Sequence, residues 1–499
     1  MTDSNVWAFF KINKRPILWV FGLCVLYVLP IIMADRLYVD DLGRTTLGYY
    51  GWIGNGRPLA EMLMLALSFG GLDLDVSPLP LLIAVIIYSI VSVAYVKNII
   101  SNKGTLITVI ASLSFILNPF YLENLSYKYD ALPMMFSVCV LLLAYLNISN
   151  IYLRVALATI CVMASLSSYQ ASIGLFVSLA VIEAVASITK GSVLKTVSLR
   201  VAERAVSFGI GYLLYDKLIK PATVLESNGY TWQHSQTIPL NGEGFGIFLR
   251  NINIYLEKIM KYVTSVPSII VWLVIIFIIA SIVSIVVGIV RSKKSKLEAI
   301  LCSVLVMASP LIVFSLTFIH MCLLVYPIAS PRVFVSFSAF VFLMIALPFM
   351  HDKFNRASLV PAVLFIAFSY VYAFSYGNAL KFQDEYEKFV AVNIANDLSA
   401  IDPYGKMKIQ TNGYMDYPQQ VNLVISKYPA MKDAILRYLN NDWYWAYFQL
   451  GKYGVNNPRA RLSAKYASEI SKDKAILERR DYSFHRRGDI LLIQFYGKY

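Results

Sequence analysis

The feature that most limits what this chain can fold into is a succession of long apolar runs separated by short gaps, many of them basic. The first run, Pro16 to Ala34, follows Lys11, Lys14 and Arg15. It lacks a small-residue cleavage site and is long enough to span, so it reads as a retained anchor with its N-terminus in the cytoplasm. Further spans are expected at Leu79 to Val96, Leu106 to Asn118, Leu132 to Leu146, Ile151 to Ser167, Ser172 to Thr189, Val201 to Ile219, Pro267 to Ile289, Leu297 to Leu324, Val333 to Phe349 and Leu359 to Tyr376. The expected fold class is mostly α, a polytopic membrane protein with about eleven transmembrane helices. The even-numbered gaps carry Lys97 and Lys103, Arg154, then Lys190, Lys195, Arg200 and Arg204, then Arg291, Lys293, Lys294 and Lys296, then Lys353 and Arg356. Cytoplasmic gaps should be basic, and this register satisfies that at every turn.

Composition agrees: 58% hydrophobic residues, 15% charged residues and a mean hydropathy of +0.61 define an integral membrane protein. The net charge of +14 is spread in short clusters between apolar runs, which argues for no nucleic acid partner. The five cysteines, Cys24, Cys139, Cys161, Cys302 and Cys322, lie in or beside apolar runs with no CxxC pair, so neither a disulfide framework nor a zinc site is indicated. The four histidines, His234, His320, His351 and His485, are too scattered to form a ligand set.

An odd number of spans starting inside ends outside. The expected organisation is a membrane domain at 1–377, with exoplasmic loops at 35–78 and 220–265, followed by a small exoplasmic α/β domain at 378–499. Within the latter, Glu385 to Ser399 and Ala430 to Asn440 have helical spacing, whereas Lys406 to Tyr414 and Asp489 to Gly497 read as strands bounded by turn residues. Pro58 to Phe69 is apolar but too short to cross, which suits an interfacial or re-entrant helix. In the loop at 220–265, Ala222 to Asn241 reads as irregular and Gly246 to Tyr262 as a helix lying on the membrane surface.

Chemistry is sought in the exoplasmic gaps. Asp40, Asp41, Arg44, Arg57, Glu123, Lys128, Asp130 and Arg332 all fall near the outer membrane boundary, and a lined cavity is the setting in which such charges are tolerated. For each cation taken singly, the plain alternative is a snorkelling residue at a helix end. Carboxylates and cations at this level suit transfer of a sugar from a polyprenyl phosphate: the phosphate leaves readily near fixed positive charge, and an aspartate deprotonates the attacking hydroxyl. No GxxxxGK[ST] loop is present. In the aromatic stretch Asn440 to Leu450, Trp443, Tyr444 and Trp445 are candidates to stack on acceptor sugar, with domain core the favoured reading.

The segments YVDDLGR, GWIGNGRPLAE, LSYKYDALPM, LSSYQASIGL and SPRVF occur in that order over roughly the first 340 residues. This series resembles the motifs of the bacteriophage-associated serotype-converting O-antigen glucosyltransferase family (Gtr type), which has a GT-C fold. The resemblance implies a catalytic base in the pair Asp40 and Asp41, a donor phosphate held by Arg44, Arg57, Lys128 and Arg332, and substrate contacts from Asp130, Tyr169 and Gln170, to which Trp443 and Trp445 are added as acceptor candidates. Lys128 offers a point charge, not the two-pronged contact of arginine. The implied reaction moves glucose from undecaprenyl phosphate to an O-antigen hydroxyl at the periplasmic face of the bacterial inner membrane, with inversion. A lipid-glucose flippase and a lipid-glucose synthase are the implied functional partners. Which aspartate is the base stays open, because neighbours in an extended segment point to opposite sides. The other either pairs with Arg44 or holds a divalent cation such as Mg or Mn. The alternatives are an O-antigen polymerase and a transferase of a different lipid-linked sugar. A transporter is disfavoured, since the spans have almost no charges at mid-depth apart from Glu183 and Asp216.

Overall fold

In an apolar run the backbone can satisfy its own hydrogen bonds only by closing on itself, so these segments become helices. The computed structural model describes residues 3–100, 103–224, 229–293, 295–350 and 356–497; Lys294, His351, Lys353 and residues 225–228 of the expected irregular stretch lie outside them. Among the described residues, eight helices are long and apolar enough to cross a membrane: Ala8–Ala34, Leu79–Ile99, Ile151–Ser168, Gln170–Thr189, Ser268–Ser292, Lys296–Leu316, Pro331–Met350 and Leu359–Ile401.

Three of the expected eleven spans are not among these. The run from Leu106 forms a 9-residue helix, Thr105–Leu113, and the run from Leu132 forms a 13-residue helix, Ala131–Leu143. At about 1.5 Å per residue both fall short of a hydrocarbon layer of ~30 Å. The third lies in Leu194–Leu214, which is 21 residues long but carries Lys195, Arg200, Glu203 and Arg204 in its first half. Two of the cations assigned to the cytoplasmic gaps are buried clamps. Arg204 donates to Glu183 at 2.8 Å through both Nε and Nη2 and to the Ala144 carbonyl at 2.7 Å. Arg154 grips Glu203 at 2.7 and 2.9 Å. The short helix Pro58–Ser68 begins with proline at its first position, where the missing N–H costs nothing. Gly242–Val263 is capped by Asn241, whose side chain accepts from Gly244 N at 2.9 Å, and it buries Asn251, Tyr255, Ile259 and Tyr262 along one face.

Contacts divide the chain into two compact units. The first holds Met1–Leu29, Tyr50–Gly71 and Val76–Ala373; the second holds Pro30–Tyr49, Leu72–Asp75 and Phe374–Tyr499. The second unit contains a sheet in the order β1-β4-β3-β2, with β1 (Lys408–Asn412) parallel to β4 (Ile490–Phe495), and β3 (Tyr482–Arg487) antiparallel to both β4 and β2 (Ala475–Glu478). Its core is formed by Val390, Ile394 and Leu398 against Ile409, Phe484, Leu491 and Ile493. The expected helix from Glu385 is the end of one 43-residue helix, Leu359–Ile401, with no break at residue 377. The helix expected at Ala430 to Asn440 does not form. A 3-10 turn covers Pro429–Asp433, and the carbonyls of Ala434 and Leu436 accept from Tyr38 Oη and Arg36 Nη2.

Candidate active site

In the first unit, Ile53–Asn55 winds into a 3-10 turn closed by Gly56, whose φ of +73° suits glycine. Gln170, at the start of its helix, donates from Nε2 to the carbonyls of Asn55 at 2.9 Å and Gly56 at 3.3 Å. The Gly56 carbonyl also accepts from the Tyr215 hydroxyl at 2.9 Å. Having fixed the turn with its nitrogen, Gln170 uses its oxygen to accept from Arg57 Nε at 2.7 Å. The guanidinium then lies over the Tyr169 ring, 4.8 Å from its centroid.

Tyr169 connects this arginine to a second one. Its hydroxyl donates to the Arg332 carbonyl at 3.0 Å. Burial pushes that hydroxyl up to about 12, so it carries its proton at any working pH. Arg332 donates its N–H to Glu123 Oε2 at 2.7 Å, while Nη1 donates to Glu123 Oε1 at 3.2 Å and to the Tyr127 hydroxyl at 2.6 Å. Glu123 is buried and offsets the charge on Arg332. Among the described residues, Arg57 has no carboxylate partner, and it is held only by a neutral amide and a ring. A half-buried guanidinium oriented this way is a receptor for an anionic oxygen. Asp130 is buried and accepts from Trp52 Nε1 at 2.6 Å. Lys128 is half-buried between buried Tyr127 and Tyr129.

Asp40, Asp41 and Arg44 belong to the second unit. The pair does not lie in an extended segment: both open the helix Asp40–Leu47, so they are successive helical positions. Asp41 is fully buried and accepts from Tyr38 N at 2.9 Å through Oδ2, whereas Asp40 is half-exposed. Before them stands Val39 at φ 50°, ψ −102°. A β-branched residue at positive φ is an outlier costing on the order of 1–3 kcal/mol, retained only where the surroundings enforce it. Gly43 faces Trp445: a Cβ there would stand 3.1 Å from Trp445 Cζ3 and 3.0 Å from the Tyr49 hydroxyl. Trp445 clusters with Tyr444 and Phe448 at centroid distances of 5.2 and 5.8 Å, and Trp443 lies 5.7 Å from Tyr438. Both tryptophans are half-buried and Tyr444 is 52% exposed, so the stretch is core on one side and surface on the other.

Trp52, Tyr127 and Tyr215 were not anticipated; the first two lie within or next to the quoted motifs, and nothing near Tyr215 marks it. Among the described residues no three His, Cys, Asp or Glu side chains gather as metal ligands.

A many-helix membrane chain that steadies one arginine through a neutral amide, and ties a second to it through a tyrosine, presents two oriented cations of the kind that receive anionic oxygens. More particularly, the chain belongs to the GtrII glucosyl transferase family, whose model matches residues 29–343, and so contains both Asp40 and Arg332. It is 27% identical over 446 residues, covering 88% of this chain and 90% of the relative, to an uncharacterized 55.3 kDa protein encoded in the gtrB 5′ region of Salmonella phage P22. No solved structure matches it.

Proposed function

We propose that this membrane glucosyltransferase moves glucose from undecaprenyl phosphate-glucose to a hydroxyl of an O-antigen repeat unit at the periplasmic face of the inner membrane, with inversion. The observation that carries the reading is Arg57, a cation oriented by Gln170 and Tyr169 and given no carboxylate among the described residues. Arg57 and Arg332 take the donor phosphate, assisted by Lys128. In the reaction the acceptor oxygen bonds to the anomeric carbon, the carbon–oxygen bond to phosphate breaks, and its electron pair leaves with the phosphate. The acceptor's proton passes to Asp40, the half-exposed member of the pair, while buried Asp41 holds the turn through Tyr38 N. Trp443 and Trp445 receive the acceptor glycan. A synthase and a flippase for the lipid-linked glucose complete the system.

The test is mass spectrometry of the host polysaccharide with and without the protein. One added hexose per repeat supports the reading. A longer polymer of unchanged repeat mass points to a polymerase, and an unchanged polysaccharide rejects both. Asp40→Asn should cut transfer by about 10²-fold or more without loss of membrane insertion; retained transfer removes the base assignment.

A further inference from the structure

A buried network that takes no part in the proposed transfer lies wholly within the second unit. Tyr438 is 1% exposed, and its hydroxyl both accepts from Val39 N at 3.0 Å and donates to the Leu37 carbonyl at 3.0 Å. These are the two backbone groups flanking Tyr38, immediately before the acidic pair. The backbone N–H of Tyr438 donates to Glu387 Oε1 at 2.8 Å, and Glu387 Oε2 accepts from Arg36 Nη2 at 2.9 Å. Arg36 in turn lies 4.6 Å from the centre of the Tyr438 ring and donates to the Leu436 carbonyl at 2.7 Å. Tyr38 adds a bond from its hydroxyl to the Ala434 carbonyl at 2.8 Å.

The one residue this network encloses in a disfavoured backbone conformation is Val39. A single phenol thus satisfies the N–H of the strained residue and a carbonyl two residues before it, fixing the peptide planes on both sides of Tyr38. We infer that Tyr438 is a positioning residue, which holds the strained turn at Val39 and thereby sets the direction in which Asp40 leaves the chain. The ion pair of Arg36 and Glu387 fixes Tyr438 from behind. Burial holds the Tyr438 hydroxyl well above its ordinary range, so the donor to Leu37 is present at every pH the protein meets. The inference rests on the reading of Asp40 as base only for its effect on turnover; its effect on the turn stands alone.

The experiment uses the full-length protein in lipid nanodiscs with undecaprenyl phosphate-glucose as donor. Tyr438→Phe keeps the ring under Arg36 and removes both hydroxyl bonds. Turnover should fall about tenfold, as a misdirected catalytic group predicts, with the KM for the donor unchanged. Amide hydrogen exchange over residues 37–44 should accelerate, a readout that needs no chemistry. Adding Val39→Gly, which relieves the positive φ, should restore a good part of the turnover lost in Tyr438→Phe, because a relaxed turn no longer needs its clamp. Unchanged exchange in Tyr438→Phe overturns the inference, as does a double variant whose losses simply add. If transfer survives Asp40→Asn, the base reading fails, and accelerated exchange in Tyr438→Phe still supports the clamp.

Discussion

Arg57, Gln170 and Tyr169 show how much a few side chains settle when each has two tasks. Gln170 reads the turn with one end and aims a cation with the other; Tyr169 supports that cation on its face and grips Arg332 with its hydroxyl. Arg57→Lys keeps the charge but loses the planar fork and the bond from Nε, so the donor KM should rise about tenfold while the fold persists; a saturation curve in donor lipid checks this. Gly56→Ala places a methyl group at positive φ and 2.7 Å from the Tyr215 hydroxyl. It should lower the melting point by an amount worth about 1–3 kcal/mol and weaken donor binding with it, because the turn that Gln170 reads is displaced. Tyr169→Phe removes the bond to the Arg332 carbonyl and the contact with the Asn124 side chain; a loss of about 1 kcal/mol in thermal unfolding, with the stacking on Arg57 retained, is the expected result.

Among the elements, helices announced themselves wherever hydropathy, a proline or a cap marked their ends, as at Pro58–Ser68 and Gly242–Val263. Strands β1 and β4 were legible as short stretches bounded by turn residues. The hairpin of β2 and β3 was not, because AILE and YSFHRR are interrupted by RRD and half of their residues are polar or charged. Residues 434–440 have helical spacing, yet their carbonyls serve side chains from residues 36 and 38, a pairing no local pattern reveals. The pairing of the basic residues was hidden for a related reason: in the sequence an arginine looks the same whether it meets water or a buried carboxylate. Arg204→Met should therefore destabilise by about 3 kcal/mol, since it strands Glu183. The double substitution with Glu183→Met should lie much closer to the parent, and thermal unfolding in detergent compares them.

At the scale of the whole molecule, Arg57, Gln170, Tyr169 and Arg332, which the structure ties together, drew notice in the sequence because they lie in short motifs. The assembly of the second unit from three separated segments was not, since nothing in Pro30–Tyr49 names a partner beyond Phe374. A fragment comprising 374–499 should consequently fail to form a protease-resistant core, lacking two of its three pieces, and limited proteolysis of the isolated fragment checks it. Restored resistance on adding a 30–49 peptide would locate the missing contribution there.

Tyr438 clasps Val39 across a separation of 399 residues. Ribosomes add ~5–20 residues per second, so the acidic turn emerges and then waits roughly 20 to 80 s before its clasp is even synthesised. Over that interval Arg36 has no Glu387 to meet and Val39 is under no compulsion to adopt its unfavourable geometry. The geometry of the acidic turn therefore arrives only when translation is nearly finished, and a nascent chain released early carries its aspartates on a slack tether.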